Sequence, residues 1–221
     1  MKLAIYDFDG TYMKNEILRK VYKFWKLKGL NKRMYRKIWH TIIFRNIFYK
    51  LRLFGWTKAK FRANAMALTA DLFRSVDRHV LDKFLIDLYH YLLPYVNLTM
   101  KNQLQKDKEE GFYTILLSGN FNIILEPFLK EGFDEVIGSN VLKDKKIVSS
   151  NQVEIIIHDL KAKTIIDKFP KADYGNSKAY ADSYYDLPIL EIVGYPIAFN
   201  PDDELREIAQ KQKYRIMDTV I

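Results

Sequence analysis

The chain has 221 residues, of which 48% are apolar, with a formal net charge of +9 and no cysteine. This length fits one sizeable domain or a core domain with a smaller insert, and the lack of cysteine excludes disulfides and thiol catalysis. No run approaches the roughly 18 apolar residues that a membrane-spanning helix needs, and the N-terminus has no secretory signal pattern. We therefore expect a soluble, cytoplasmic protein.

A short N-terminal stretch combines the pattern of a buried strand with two acids. The apolar run Leu3-Ala4-Ile5-Tyr6 leads into Asp7-Phe8-Asp9-Gly10-Thr11, and the glycine indicates the turn that ends the strand. Side chains alternate along a strand, so Asp7 and Asp9 share a parity and are expected near its carboxyl end. Two neighbouring carboxylates need a cation or a shared proton, which indicates a metal site or an acid–base pair. An ordinary turn with acidic caps is the simpler alternative.

The positive charge is concentrated in one segment. Residues 14–62 contain 16 Lys and Arg, one acid, Glu16, and all three Trp. Three interpretations stay open: a solvated helical face, a surface that binds anionic membranes, and a surface that binds nucleic acid. We expect no specific nucleic acid partner, and the membrane surface is the main alternative to a solvated face.

Hydrophobic periodicity divides the chain into a helical insert and an alternating part. Apolar residues recur at three- and four-residue steps from Glu16 to about Phe54, and two more helical stretches follow, with Thr57 and Ser75 as candidate N-caps. We therefore assign 14–85 to an all-helical insert. Beyond it strands alternate with helices, which predicts a doubly wound, mainly parallel α/β sheet built from 1–13 and 86–221.

Two further predicted strands end in polar residues. Ser118-Gly119-Asn120 follows the apolar run 113–117, and a hydroxyl, a glycine and a helix start together can hold a phosphate oxygen, although a plain N-cap is simpler. Asp182 and Asp186 follow the strand predicted at 178–181. Because the carboxyl ends of parallel strands share one edge of a sheet, this acid pair is expected to converge with the first. Oxygen ligands without His or Cys nearby favour Mg²⁺.

Lysines and histidines give weaker signals. Lys161 and Lys163 open the helix predicted at 161–169, where a cation is unfavourable unless it serves another group such as a phosphate. The histidines show no ligand spacing and are interpreted as structural or surface residues: His40, His79, His90 and His158.

Together these motifs resemble the haloacid dehalogenase superfamily, and within it the phosphoserine-phosphatase-like branch with a helical cap. The resemblance rests on Asp7-Phe8-Asp9-Gly10-Thr11, Leu116-Leu117-Ser118-Gly119-Asn120, a helix-opening lysine, and Tyr180–Leu190. The stretches Glu126–Gly138 and Val193–Asp202 also look like that branch. The helical insert falls where the branch carries its cap, which implies a Rossmann-like hydrolase core, 1–13 and 86–221, with a cap at 14–85.

The resemblance implies a Mg²⁺-dependent phosphomonoester phosphatase. Asp7 would be the nucleophile that forms an aspartyl-phosphate, and Asp9 would be the general acid and then the base. The other implied roles are metal ligands Asp7, the Asp9 backbone carbonyl and Asp182; phosphate ligands Thr11, Ser118, Gly119 and Lys163; supporting residues Asp186 and Asn120; and substrate contacts Glu16 and Arg62. Lys163 is preferred to Lys161 because its spacing to Ile165-Ile166 fits the family better.

The cap departs from the family pattern. Glu16 stands where serine-specific members keep an acid for the substrate amine. The cap lacks the arginine expected of such members, because the third predicted helix has only Arg62, near its start. A basic, aromatic-rich cap also differs from that of a typical amino-acid phosphatase. The expected substrate is a small phosphorylated metabolite. The alternatives are a lipid phosphate, hydrolysed by an enzyme that docks on membranes through its cap, and an anion-binding module without turnover. Phosphoryl transfer to an acceptor other than water stays open.

Overall fold

The structure, a computed structural model, describes residues 1–52 and 55–219. The strands are β1 Leu3–Asp7, β2 Tyr113–Phe121, β3 Glu135–Ser139, β4 Leu142–Lys143, β5 Lys146–Ile147, β6 Lys178–Ala181, β7 Tyr195–Phe199 and β8 Arg215–Met217. The helices are α1 Leu18–Lys28, α2 Lys32–Lys50, α3 Lys58–Arg74, α4 Arg78–Leu92, α5 Leu98–Glu109, α6 Asn122–Leu125, α7 Asp159–Lys168, α8 Leu187–Glu191 and α9 Asp203–Gln212. The predicted end of the second helix near Phe54 lies outside the described residues.

Six parallel strands form the central sheet, in the order β3-β2-β1-β6-β7-β8. The predicted doubly wound α/β sheet is therefore confirmed. β1 is buried along its whole length, because it pairs with β2 on one side and β6 on the other and helices cover both sheet faces. In this register Asp7 lies opposite Leu117, one residue before Ser118. Ser118, Gly119 and Asn120 lie inside β2 and not after it as predicted, because β2 continues to Phe121, but Ser118 is still beside the end of β1.

Alternation along β1 divides the core into two layers. Leu3 and Ile5 pack with Ile165 of α7 and Leu205 of α9 on one face of the sheet. Ala4 and Tyr6 point to the other face, into a larger cluster that also contains the buried residues of α1, α3 and α4. The sheet is thus covered on both sides, and its carboxyl edge is left for polar side chains.

The insert is helical as predicted, and local signals set several of its ends. Thr57 caps α3, accepting a hydrogen bond from the Lys60 N–H at 3.2 Å, and Gly29 ends α1 in the left-handed conformation. The prediction of Ser75 as an N-cap is wrong: Asp77 precedes α4, and the Ser75 hydroxyl donates to the Leu72 carbonyl at the end of α3. The predicted boundary at 85/86 falls inside α4, and the division into two domains stays a prediction.

The segment between β3 and α7 differs in detail from the predicted hairpin-like excursion. β4 and β5 form an antiparallel pair, but residues 153–157, predicted as extended, take no regular secondary structure. Two hydrogen bonds from Ser150, through its N–H at 3.0 Å and its hydroxyl at 2.6 Å, hold this segment to Asp71 of α3. The segment is thereby placed beside the carboxyl edge of the sheet.

Within 1–52 and 55–219, no helix is both long enough and apolar enough to cross a membrane.

Candidate active site at the carboxyl edge of the sheet

Three strands deliver polar side chains to one cavity of about 1000 Å³. Asp7 is the last residue of β1, Ser118 lies in the carboxyl half of β2, and Asp182 follows β6 directly. Most of the residues predicted for the site line this cavity: Asp7, Asp9, Glu16, Arg62, Ser118, Gly119, Asn120, Asp182 and Asp186. The two acid pairs that were predicted to converge therefore line one cavity in the structure.

A group of three carboxylates lies at the base of the cavity. Asp7, Asp182 and Asp186 each place one oxygen within 4.8 Å of the others. The Lys161 ammonium lies between two of them, 2.5 Å from Asp7 Oδ1 and hydrogen-bonded to Asp186. One lysine opposite three carboxylates leaves the group with excess negative charge in a buried place.

Burial first, and then the excess negative charge, raises the pKa of two carboxylates in the group. Burial raises the pKa of Asp7 well above its usual range, and the Asp186 charge adds to this against the opposing effect of Lys161. Burial, with the charge of Asp186, raises the pKa of Asp182 to about 7. Three oxygen donors whose ionised forms need more positive charge fit a hard divalent cation such as Mg²⁺.

Asp9 is held apart from this group. Its carboxylate accepts a hydrogen bond from the Ile17 N–H at 2.7 Å and another from Asn120 Nδ2 at 2.5 Å. Burial raises its pKa, opposed chiefly by the Ile17 N–H. The two acids of the first pair therefore occupy different environments, and Asp9 is oriented in the cavity wall with a raised tendency to carry a proton.

The hydrogen bonds of Ser118 leave one direction open. Its Oγ accepts from the Asn120 N–H and from Asn120 Nδ2, both at 3.0 Å. A hydroxyl has two acceptor positions and one hydrogen, so the hydrogen remains free to donate. Because Ser118 is buried and lines the cavity, it can donate to an anionic oxygen there.

The lysine chosen from the sequence is corrected by the structure. Lys161 is 6% exposed and contacts Asp7, whereas Lys163 is exposed and does not line the cavity. Two residues separated by two positions point to different sides of a helix, so only one of them can face the sheet. Lys161 lies one turn before the buried Ile165, on the face of α7 that packs on the sheet.

Thr11, predicted as a phosphate ligand, does not line the cavity and instead supports Asp182, and Gly10 leaves room for the same carboxylate. The Thr11 hydroxyl donates to Asp182 Oδ1 at 3.3 Å. Gly10 has φ of +85°, and a Cβ atom there would lie 2.0 Å from Asp182 Oδ2. Only glycine allows both this backbone conformation and the close approach of the Asp182 carboxylate to the backbone. The turn after β1 therefore fixes the position of the carboxylate that follows β6.

The insert contributes the outer wall. Glu16 and Arg62, predicted separately as substrate contacts, form an ion pair with each other, and Arg62 lies over the Tyr185 ring at 5.6 Å.

His158, interpreted from the sequence as structural or surface, also lines the cavity, where its Nδ1 lies 2.8 Å from Asp159. The spacing of histidines along the sequence does not indicate this position, because the fold brings His158 to the cavity and no local motif marks it.

Comparisons with known proteins find a family model, a curated relative and solved structures that match the chain. A sequence model of haloacid dehalogenase-like hydrolases matches residues 4–191. A histidinol-phosphatase of Neisseria meningitidis serogroup C is 26% identical over 146 residues, 58% of this chain and 61% of that protein. The chain thus spans less than two thirds of that relative's length.

Solved structures share the fold. A Bordetella pertussis Tohama I protein of unknown function matches with a TM-score of 0.81 and 18% identity, covering 98% of both chains. A structure described as a phospho-aspartyl intermediate analogue of phosphoserine phosphatase matches with a TM-score of 0.57 and 19% identity, covering 98% of this chain and 92% of that one. At these identities the likenesses show the fold alone, and the family predicted from the sequence motifs is confirmed by the family model.

Proposed function

The chain belongs to the haloacid dehalogenase-like hydrolase family, and from this premise we propose that it is a Mg²⁺-dependent phosphomonoester phosphatase. The observation that supports this most is the buried group of Asp7, Asp182 and Asp186 with Lys161, which faces a cavity beside Asp9 and Ser118. Asp7, Asp182 and Asp186 would hold the metal, and the Asp9 backbone carbonyl is a further predicted ligand. When bound, Mg²⁺ would supply the positive charge that keeps Asp7 ionised and neutralises phosphoryl oxygens.

The two acids after β1 would divide the covalent chemistry. A carboxylate oxygen of Asp7 would attack phosphorus as the bond to the leaving alcohol breaks, giving an aspartyl-phosphate and a free alcohol. Asp9 would give its proton to the departing oxygen, because its pKa is raised by burial and its carboxylate is oriented by Ile17 and Asn120. Asp9 would then take a proton from the water that releases phosphate.

The transferring phosphoryl oxygens need donors that are in place beforehand. The free hydroxyl hydrogen of Ser118 and the Lys161 ammonium would provide them, and Gly119, which lines the cavity, is a further predicted phosphate ligand. Lys161 also contacts Asp7, so it would hold the nucleophile and the phosphoryl group in one place.

Metal removal tests this proposal. Phosphate release from p-nitrophenyl phosphate and a panel of metabolite phosphomonoesters is expected with Mg²⁺, to be lost with EDTA, and to return when Mg²⁺ is added in excess. Turnover that EDTA leaves unchanged would contradict a metal-dependent phosphatase. Adding alcohols as acceptors to the same assay separates hydrolysis from phosphoryl transfer.

We favour a small phosphomonoester with an amino group as substrate. Phosphoserine and histidinol phosphate, the substrates in the names of several relatives, both carry a primary amine. Glu16 lines the cavity, and its ion pair with Arg62 can open to receive an ammonium on the acid and, where the substrate has one, a carboxylate on the arginine.

Glu16→Gln tests this choice. The variant is expected to raise KM about tenfold for an amino phosphomonoester, the effect of losing one hydrogen bond to a charged group. p-Nitrophenyl phosphate, which has no amine, serves as the matched control and should keep its KM. An equal change for both substrates would remove Glu16 from amine recognition.

The size of the cavity supports a second candidate substrate class. About 1000 Å³ lies at the top of the usual range for small-molecule sites, about 300–1,000 Å³. Part of its wall is apolar: Leu18, Ala63, Met66, Ile155 and Ile157. A lipid phosphate would place its apolar part there, and including alkyl phosphates of increasing length in the panel decides between an amino phosphomonoester and a lipid phosphate.

A cytoplasmic location stays a prediction from the sequence.

A further inference from the structure

We propose that the exposed face of α2 docks on the surface of an anionic lipid bilayer. The face consists of Trp39, Ile43, Phe44, Ile47 and Leu51, here called the α2 ridge. These side chains are 39% to 61% exposed. The inference concerns a surface outside the catalytic cavity and does not depend on the phosphatase activity.

The α2 ridge is one continuous stripe. Positions 39, 43, 47 and 51 follow each other at four-residue steps, so they lie above one another along α2 and its C-cap, over about 18 Å at 1.5 Å per residue. Phe44 lies beside this row and contacts the Phe48 ring edge-on at 4.6 Å between centroids. Ile38 is the one fully buried residue of α2, and the side of the helix that carries the ridge is turned to solvent and not to the core.

The chain around the ridge carries positive charge without any acid. Between Glu16 and Asp71 there are 15 Lys and Arg and no Asp or Glu. On α2 itself, Lys32, Arg33, Arg36, Lys37 and Lys50 are exposed. Among the described residues, no carboxylate pairs with any of these five. Each such cation near an anionic bilayer raises affinity by about fivefold.

An anionic bilayer uses both properties of this surface. The apolar side chains of an interfacial helix enter the boundary between headgroups and acyl chains, while Lys and Arg contact the anionic headgroups. A second copy of the chain would bring two acid-free basic faces together, which charge repulsion opposes. A nucleic acid would pair with the cations but would leave the exposed Phe, Ile and Leu side chains without apolar partners.

The docking surface adjoins the catalytic cavity through one helix. α2 packs against α3, and α3 supplies Arg62, Ala63 and Met66 to the cavity wall. A bilayer bound at the α2 ridge would therefore lie one helix away from the wall that receives the substrate.

Vesicle co-sedimentation tests the proposal. The protein is expected to bind vesicles of phosphatidylcholine with phosphatidylglycerol, to bind pure phosphatidylcholine vesicles at least about tenfold more weakly, and to lose affinity as salt rises. The double variant Phe44→Ser, Ile47→Ser should weaken binding at least about tenfold, since it removes two inserting side chains. Arg33→Gln with Lys37→Gln should weaken binding to anionic vesicles and leave the weak binding to neutral vesicles unchanged.

Matched variants at other exposed positions are the controls. Ile86→Ser with Leu129→Ser removes two apolar side chains that are 57% and 43% exposed, and Lys143→Gln with Lys146→Gln removes two exposed cations. All four double variants change exposed positions and should keep the melting temperature of the parent, and the controls should bind vesicles within about twofold of it.

Several results would overturn the proposal. They are no binding to anionic vesicles, binding that the ridge variants leave unchanged, and self-association in light scattering that the ridge variants abolish without any vesicle binding. Binding to an oligonucleotide but not to vesicles, unaffected by Phe44→Ser with Ile47→Ser, would assign the basic surface to nucleic acid instead.

Discussion

Asp7→Asn is expected to lower phosphate release by about a thousandfold or more, because it removes the oxygen nucleophile that covalent catalysis requires. The amide has nearly the same shape as the carboxylate, so the fold of the strand end should survive. It also takes one negative charge from the group formed with Asp182 and Asp186, which weakens metal binding. The measurement is initial phosphate release at saturating Mg²⁺ with the best substrate of the panel.

Asp167→Asn is the control for this experiment. Asp167 is exposed on α7 and does not line the cavity, so its variant should keep parental activity. An Asp7→Asn protein that is folded and retains a tenth or more of the parental rate would show that another residue is the nucleophile.

Lys161→Met is expected to lower kcat/KM by about a hundredfold or more, the usual effect of removing one preorganised donor from a charged transition state. It should also destabilise the metal-free protein by about 3–5 kcal/mol, because Asp7 and Asp186 lose their buried partner. Both effects come from one ammonium group that pairs with the carboxylates at the base of the cavity. Kinetics with Mg²⁺ and urea unfolding with EDTA measure them separately.

Lys163→Met provides the matched comparison, on the same helix and only two residues away. Lys163 is exposed, so its variant should stay within about twofold in kcat/KM and within about 0.5 kcal/mol in unfolding free energy. A larger loss of activity in the Lys163 variant than in the Lys161 variant would assign the phosphate lysine to Lys163 and contradict the proposed role of Lys161.

The sheet edge could be predicted from the sequence because its signals are local. An apolar run that ends in Asp7, another that ends in Ser118 and a third that ends in Asp182 are each visible in a few residues. Parallel strands then require that these ends meet at one edge, without further information about packing. The family followed from the same motifs.

Residues that reach the site through packing could not be predicted in this way. Ile165 and Ile166 look alike in the sequence, yet Ile165 is buried and Ile166 is 42% exposed, and this rotation of α7 decides which lysine faces Asp7. His158 lines the cavity at the end of a segment that hydrogen bonds from Ser150 hold to Asp71 of α3, and these two positions are 79 residues apart. The pairing of Glu16 with Arg62 likewise depends on how the insert folds over the sheet.

The most direct measurement for the proposed chemistry is detection of the phosphorylated enzyme. The protein is mixed with a phosphomonoester labelled in its phosphoryl group, quenched with acid during turnover and digested, and the peptides are analysed by mass spectrometry. The account predicts labelled phosphoryl on Asp7, at most one group per chain, that hydroxylamine removes and that Asp7→Asn does not acquire. Steady turnover with no label on Asp7, or label on another residue that persists in Asp7→Asn, would contradict it.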